Sequence, residues 1–266
     1  MLSLIRADGA LDLYHGGLRA RDAKGQTIFD HVDYCDYHQY LQEEVKSWSY
    51  MKFPFIASIG KEAGWYRVGP LARLNNCDFI PTPLAEKERQ EFRAHAKQGM
   101  VHASLAYHWA RMIEMLHAAE GIKALLEDEV TLGEDIAAPH GERSLEGIGV
   151  IEAPRGTLFH HYRIREDETI EMANLIVSTT NNNQAMNEAI RQVATEYLDG
   201  QRITEGLLNH IEVAVRAYDP CLSCATHALG KMPLYIELVN PQGEVLDCLM
   251  KNSTGEVISP PQLVNH

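Results

Sequence analysis

A chain of 266 residues with 45% hydrophobic and 23% charged residues can bury a sizeable core, which excludes an intrinsically disordered protein. Its formal net charge of −13 disfavours nonspecific binding to nucleic acid and to anionic lipid surfaces. Charge enters early, in "MLSLIR", and no apolar run approaches the roughly 18 residues of a membrane helix. We therefore expect a cytoplasmic protein without a membrane span.

The first part of the chain carries strand signals. Residues 2–29 alternate apolar and polar side chains around "DG" and "KG" turns, which predicts a β-meander that ends near Phe29. Residues 33–55 contain the aromatic cluster "SWSYMKFPF", and we expect them to be helical or irregular. Because Gly69 and Pro70 interrupt "WYRVGPLARLN", that segment is predicted to be a strand or a loop and not a helix.

Helix signals dominate the rest of the chain. Long stretches are rich in Ala, Glu, Leu, Met and Arg, and their apolar side chains recur at close to 3.6 residues. A polar start and the stops at Gly200 and Pro220 mark two of the helices. The predicted helices cover about 90–127, 183–199 and 204–218.

Strands are predicted between and after these helices. The segment around 147–178 reads as two or three strands, interrupted by Pro154 and Gly156 and turning again at "REDE". A hairpin around "PQG" is expected in 233–250. We find no internal repeat and no linker, so the simplest expectation is one helix-dominated α+β domain over residues 1–266.

A cysteine pair stands in "DPCLSCATH". Cys221 and Cys224 are three residues apart, which lets both sulfurs face one ion, and His227 could be a third ligand. Three kinds of site compete: a structural zinc knuckle, a redox dithiol, and half of a thiolate-rich transition-metal centre. Zinc would need a second pair of ligands, and a thioredoxin-like dithiol needs a strand before it, whereas a helix leads into this pair. The remaining cysteines are singletons that we expect to be free thiols: Cys35, Cys77 and Cys248.

Two segments resemble the signatures of one enzyme family. "DPCLSCATH" matches, at each fixed position, the C-terminal metal-binding signature D-P-C-x-x-C-x-x-H of the large, catalytic subunit of nickel-iron hydrogenases. "EAPRG", upstream at 152–156, resembles the second signature of that family. Further text, including "YRVGPLARL", "TLFHHYR" and "IVSTTNNNQAMN", resembles its cytoplasmic bidirectional, NAD-reducing branch. The similarity covers essentially the whole chain and implies the C-terminal portion of the nickel-iron hydrogenase large-subunit fold.

This resemblance implies roles for individual residues. Cys221 would be a terminal nickel ligand, and Cys224 would bridge nickel and an iron that carries carbon monoxide and cyanide. The guanidinium of Arg155 would lie over the open metal position, where a fixed cation can polarise H2 or assist a base. Asp219 would pair with that arginine or orient the cysteine loop. Thr179 would hydrogen-bond a cyanide ligand.

A magnesium or similar ion is also implied. His227 matches the histidine that binds this ion at the end of the mature large subunit, and Leu175 would offer its backbone carbonyl to the same ion. One departure lies near this region, because Ser178 stands where relatives often have proline.

The resemblance further implies partners. In the family, H2 is split to a hydride and a proton, and electrons pass through iron-sulfur clusters of a small subunit to a flavin-containing diaphorase that reduces NAD. This chain has no glycine-rich nucleotide fingerprint and no further cysteine cluster. The clusters, flavin and NAD are therefore expected in partner subunits only.

The sequence departs from the family pattern in two larger ways. The other cysteine pair, in an R-x-C-G-x-C motif, is absent, so this chain would supply half of the ligand set and be inactive by itself. We expect it to be the C-terminal part of a longer large subunit. Residues 228–266 also follow His227, where a maturation endopeptidase cuts the family's precursors after nickel-insertion factors have acted. The alternative is a non-catalytic metal-binding or scaffold fragment that lacks a complete nickel-iron centre.

Overall fold

The computed structural model describes residues 1–134, 136–137, 141–198, 200, 202–226, 234–252, 254 and 256–258. Within these ranges helices and antiparallel sheets are mixed, which confirms the predicted α+β class. The strands are β1 Leu2–Ile5, β2 Gly17–Arg21, β3 Thr27–Val32, β4 Leu41–Glu44, β5 Phe53–Ile56, β6 Glu146–Ala153, β7 Gly156–Ile164, β8 Ile170–Ile176, β9 Leu234–Val239, β10 Val245–Lys251 and β11 Val257–Ile258.

The helices vary from one turn to six. They are α1 Tyr37–Tyr40, α2 Pro70–Asn76, α3 Pro83–Ala94, α4 Ala106–Leu126, α5 Ser178–Asn181, α6 Asn183–Tyr197, α7 Glu205–Ala217 and α8 Leu222–Thr226, with 3-10 turns at Tyr34–Asp36 and Glu129–Leu132. In the described ranges no helix combines the length and the apolar character that crossing a membrane requires.

Three meanders and hairpins follow the predictions. Strands β1, β2 and β3 form an antiparallel sheet in that order, which confirms the N-terminal meander, although it ends at Val32. Strands β6, β7 and β8 form a second sheet of the same kind, with turns where they were predicted. The hairpin of β9 and β10 is also confirmed, and β11 adds to its edge.

The prediction for residues 33–55 was wrong in part. One-turn helix α1 is present, but β4 and β5 pair antiparallel from Leu41 opposite Ile56 to Glu44 opposite Phe53. Leu41, Phe53 and Ile56 are buried, whereas the glutamate is half-buried. Strands of this length carry too few alternations to stand out among the aromatic residues, and it is their burial against the sheets that fixes them.

The segment "GPLARLN" was also predicted wrongly, because it forms helix α2. Pro70 occupies the first helical turn, where its missing N–H has no helical partner to lose, and Gly69 precedes it with φ +91°. All residues of α2 are buried. A helix that is covered on every side shows no apolar stripe, so the sequence pattern could not reveal it.

The long helix predicted over 90–127 is two helices. Helix α3 ends at Ala94, and α4 begins at Ala106. Gln98 and Gly99, both with positive φ, make the turn between them. The two later helices are confirmed as α6 and α7 within two residues at each end.

Three apolar clusters make the core. The first joins α2, α3 and α4 to parts of α6 and α7, and the second lies between the β1–β3 and β6–β8 sheets. The third packs α6 and α7 against the β9–β10 hairpin. Because the first two clusters meet at Val68 and Leu71, beside α2, the β6–β7 turn, α5 and the end of α7 are held close together.

Candidate metal centre

The cysteine pair lies on a sharp connection between two helices. Helix α7 stops at Ala217, Asp219 adopts φ +51°, and Pro220 has no N–H with which to continue the helix. Cys221 then begins a new turn, because the backbone N–H of Ala225 donates to its carbonyl at 3.1 Å. One turn of α8 therefore carries both thiols of the pair.

The two thiols are coupled by a hydrogen bond between them. That bond, together with smaller contributions from Ser223 and the cation of Arg155, lowers the pKa of the Cys221 thiol. The same bond from Cys221 raises the pKa of the Cys224 thiol. Cys221 is consequently the thiol that ionises first, and the thiolate is the form that binds metals. Cys221 is half-buried and Cys224 is exposed, so their open side can accept further ligands.

Arg155 contacts this connection from the opposite side. It lies on the two-residue turn between β6 and β7, which Ala153 and Gly156 close as a ladder pair. Its Nε–H donates to the backbone carbonyl of Asp219 at 2.6 Å, and the Asp219 carboxylate Oδ2 lies 3.4 Å from the same nitrogen. The guanidinium is therefore fixed as a cation beside the residues that lead into the cysteine pair.

Thr179 ties the cysteine loop to the core. It is buried in α5, and its Oγ1 accepts the backbone N–H of Cys221 at 3.0 Å. The preceding Ser178 donates its hydroxyl to the carbonyl of Gly156 at 2.6 Å. Helix α5 thus holds both the Arg155 turn and the cysteine loop, and it fixes their separation.

The structure brings most of the predicted residues together. Arg155, Thr179, Asp219 and the cysteine pair form one connected group, and Leu175 lies on β8, opposite His160. His227 lies outside the described residues. Within the described ranges no three Cys, His, Asp or Glu side chains are arranged to hold a metal ion. Two adjacent thiols, one ionising early, beside a fixed cation fit two ligands of a thiolate-bound nickel-iron centre.

Sequence reasoning missed the residues that support this group. Arg73, Glu114 and Glu152 form a buried ion-pair cluster behind the Arg155 turn. Asn182 accepts the N–H of Val68, and Asn181 donates to the carbonyl of Thr157. A charged residue within the apolar text "GPLARL" and the polar run "TTNNN" beside an apolar strand were the available signals, because buried polar groups need partners.

Comparison with known proteins gives one consistent result. Residues 9–227 match the family model described as nickel-dependent hydrogenase. The chain is 48% identical over 250 residues to the NAD-reducing hydrogenase HoxS subunit beta of Cupriavidus necator, which covers 92% of this chain and 51% of that protein. It is 39% identical over 241 residues to the matching polypeptide of the F420-non-reducing hydrogenase vhc of Methanococcus voltae, covering 89% and 50%.

A solved structure agrees with these matches. The crystal structure of an NAD+-reducing [NiFe]-hydrogenase in the H2-reduced state superposes with a TM-score of 0.80 at 55% identity, over 85% of this chain and 50% of that chain. The chain spans about half the length of the relatives it matches. The chain belongs to the nickel-dependent hydrogenase family.

Proposed function

We propose that this chain supplies the C-terminal part of the catalytic subunit of a cytoplasmic NAD-reducing nickel-iron hydrogenase. The reaction is the reversible heterolytic cleavage of H2, with electrons passed to NAD through partner subunits. The observation that carries the proposal is the Cys221–Cys224 pair held beside Arg155, on a fold that superposes on an NAD+-reducing [NiFe]-hydrogenase.

Each residue of the group has a chemical task in this proposal. The nickel-iron centre, when bound, supplies the position at which H2 is cleaved. Cys221 loses its proton to become a terminal thiolate ligand, and as a base beside the metal its Sγ can take up the proton from H2. Cys224 supplies the bridging thiolate. Arg155, held by Asp219, keeps a positive charge at the open side without moving during the reaction.

Thr179 and the predicted magnesium ligands complete the proposal. Thr179 orients the backbone of Cys221 and offers a hydroxyl to a cyanide ligand of the iron. His227 and the carbonyl of Leu175 are proposed ligands of a magnesium or similar ion. A small subunit with iron-sulfur clusters and a flavin-containing diaphorase are the proposed electron acceptors, since a relative of this name reduces NAD.

The surface of α4 supports the idea that further polypeptide completes the subunit. Its buried face is small, comprising Tyr107, Ala110 and Ile113. Large apolar side chains are exposed on its other faces: Met112, Met115, Ile122, Leu125 and Leu126. A helix that is apolar around its circumference is typical of one covered on all sides. The proposed cover is the half of the subunit that carries the other cysteine pair.

Residues 228–266 are proposed to be removed during maturation. The hairpin of β9 and β10 packs on α6 and α7 and is anchored where Asp247 accepts the N–H of Ile203 at 2.6 Å. This position, away from the cysteine loop, supports an extension that a maturation endopeptidase can cut off after His227. The intact mass of the chain in an active complex checks this, since a chain that keeps the extension would contradict it.

Reconstitution tests the main proposal. The chain would be produced together with a family polypeptide that carries the R-x-C-G-x-C pair, the small and diaphorase subunits, and the nickel-insertion factors and endopeptidase. H2-dependent reduction of NAD+ is then measured without oxygen for the wild type and for the Cys221→Ser and Cys224→Ser variants. Cys35→Ser is the matched control, because Cys35 is an exposed free thiol.

The outcomes separate the competing functions. We expect H2-dependent NAD+ reduction in the wild type and in Cys35→Ser, and none in the two site variants. Reduction of a viologen dye without reduction of NAD+ would retain the hydrogenase and refute the NAD-reducing branch. A wild-type complex that binds nickel but does not react with H2 would favour the non-catalytic metal-binding fragment.

A further inference from the structure

Arg73 on α2 is one of the most deeply buried charges in the described chain, with 2% of its side chain exposed. Its Nε and Nη2 donate to the two carboxylate oxygens of Glu114, both at 2.6 Å, and Nη1 donates to Glu152 at 2.8 Å. Two carbonyls take its remaining hydrogens: Ala153 from Nη1 at 2.9 Å and Pro154 from Nη2 at 3.3 Å. The five bonds use all five N–H groups of a guanidinium.

Those two carbonyls are the backbone groups that immediately precede Arg155. Pro154 has no N–H of its own, so this turn can be braced only through its carbonyls. The carboxylate of Glu152 is fixed in turn, since it also accepts the hydroxyl of Thr157 at 2.7 Å and the backbone N–H of Leu4 at 2.9 Å. The brace is therefore anchored in two sheets.

The same helix presses directly on the turn. A Cβ placed on Gly69, at the start of α2, would lie 2.8 Å from the carbonyl oxygen of Arg155. A Cβ on Gly156 would lie 2.8 Å from the backbone nitrogen of Gly69. Arg73 follows one helical turn later and reaches the turn from its other end. Helix α2 thus contacts the turn over its whole length.

The geometry points to Arg73 as a positioning residue for Arg155. By holding the carbonyls of Ala153 and Pro154 between two carboxylates, it sets where the Arg155 side chain leaves the backbone and so keeps its Nε–H on Asp219. This inference rests on the proposed function, in which the placement of Arg155 matters for the reaction. A planar fork is required, because a lysine ammonium cannot span two carboxylates and two carbonyls.

Exchange at the Arg155 side chain tests this directly in the full chain. Arginine residues are labelled with ¹⁵N, the Nε–H signal of Arg155 is assigned by its loss in Arg155→Lys, and its hydrogen exchange is measured in Arg73→Lys. Arg89→Lys is the matched control, because Arg89 is also buried and donates to Glu86 and to the carbonyls of Asp78 and Cys77.

We expect exchange at Arg155 Nε–H to rise at least about tenfold in Arg73→Lys and less than about twofold in Arg89→Lys. Unchanged exchange in Arg73→Lys, or an equal rise in Arg89→Lys, would overturn the inference. If Arg73→Lys does not fold, Glu114→Gln decides, since it loosens one side of the fork and keeps its shape. A smaller rise of the same sign is expected there, and no rise would refute the positioning role.

The assembled complex supplies the second readout. There, Arg73→Lys is expected to lose at least about tenfold in H2 oxidation, whereas Arg89→Lys keeps the wild-type rate. A wild-type complex without H2 oxidation would refute the proposed function and leave the exchange result standing. A loose Arg155 with an unchanged rate would refute the importance of its placement.

Discussion

Gly156 is the position where a single methyl group should disturb the candidate site most sharply. It follows Arg155 and has φ +137°, in a region that favours glycine. A Cβ built there would lie 2.2 Å from Cγ2 of Val68 and 2.8 Å from the backbone nitrogen of Gly69. The second contact is with backbone at the start of α2, so no rotamer change can relieve it.

The cost of Gly156→Ala follows from two effects. Overpacking of a well-packed core costs about 1–3 kcal/mol. A side chain forced into a strained backbone region costs about 1–3 kcal/mol more. We therefore expect the free energy of unfolding to fall by roughly 2–6 kcal/mol, which is a large part of the ~5–15 kcal/mol of a typical domain. The Nε–H of Arg155 should also lose its bond to Asp219.

Urea unfolding of the full chain measures this, with Gly149→Ala as the matched control on the neighbouring strand. A Cβ on Gly149 meets no atom within 4 Å, so this variant should change the free energy of unfolding by less than about 1 kcal/mol. Adding Val68→Ala to Gly156→Ala should recover part of the loss, since it removes the closer contact. Equal stability of the Gly156 and Gly149 variants would refute the reasoning.

Three further predictions concern separate parts of the fold. Thr179→Val removes the acceptor of the Cys221 N–H and should cost about 1 kcal/mol in urea unfolding, whereas Thr179→Ser should cost less; equal losses would contradict the role of Oγ1. Leu208, fully buried beside the hairpin, should lose about 2–5 kcal/mol on Leu208→Ala, whereas exposed Val213→Ala should change little; equal losses would argue against this packing. Burial raises the pKa of the Cys77 thiol to about 12 from its ordinary 9.0, so the folded chain keeps a proton that the unfolded chain releases. The free energy of unfolding should therefore fall as pH rises above 9.0, and Cys77→Ala should lack this part of the decline; identical slopes would refute it.

The sequence predicted those elements whose signals are local. The meanders and hairpins are bounded by turns such as "DG" and "PQG", and α6 and α7 expose one face, so their periodicity is visible. Helix α2 was missed because it is covered on every side, and β4 and β5 were missed because each is held mainly by its partner strand. Similar composition on both sides of Gly99 concealed the break between α3 and α4.

The candidate site was accessible to the sequence only in its outer parts. The spacing of Cys221 and Cys224 indicates a metal, and the signature around Arg155 names the second segment, but neither gives the distance between them. That distance depends on Thr179 and on the Arg73 brace, which act through side chain to backbone bonds. Such bonds leave no period in the sequence, and only the folded structure reveals them.

Metal content tests the central claim most directly. Nickel and iron would be measured by mass spectrometry in the purified, reconstituted complex and in its cysteine variants. The account predicts about one nickel and one iron per chain in the wild type and in Cys35→Ser, and neither metal in Cys221→Ser. Full nickel and iron occupancy in Cys221→Ser would contradict the assignment of this cysteine pair to a nickel-iron centre.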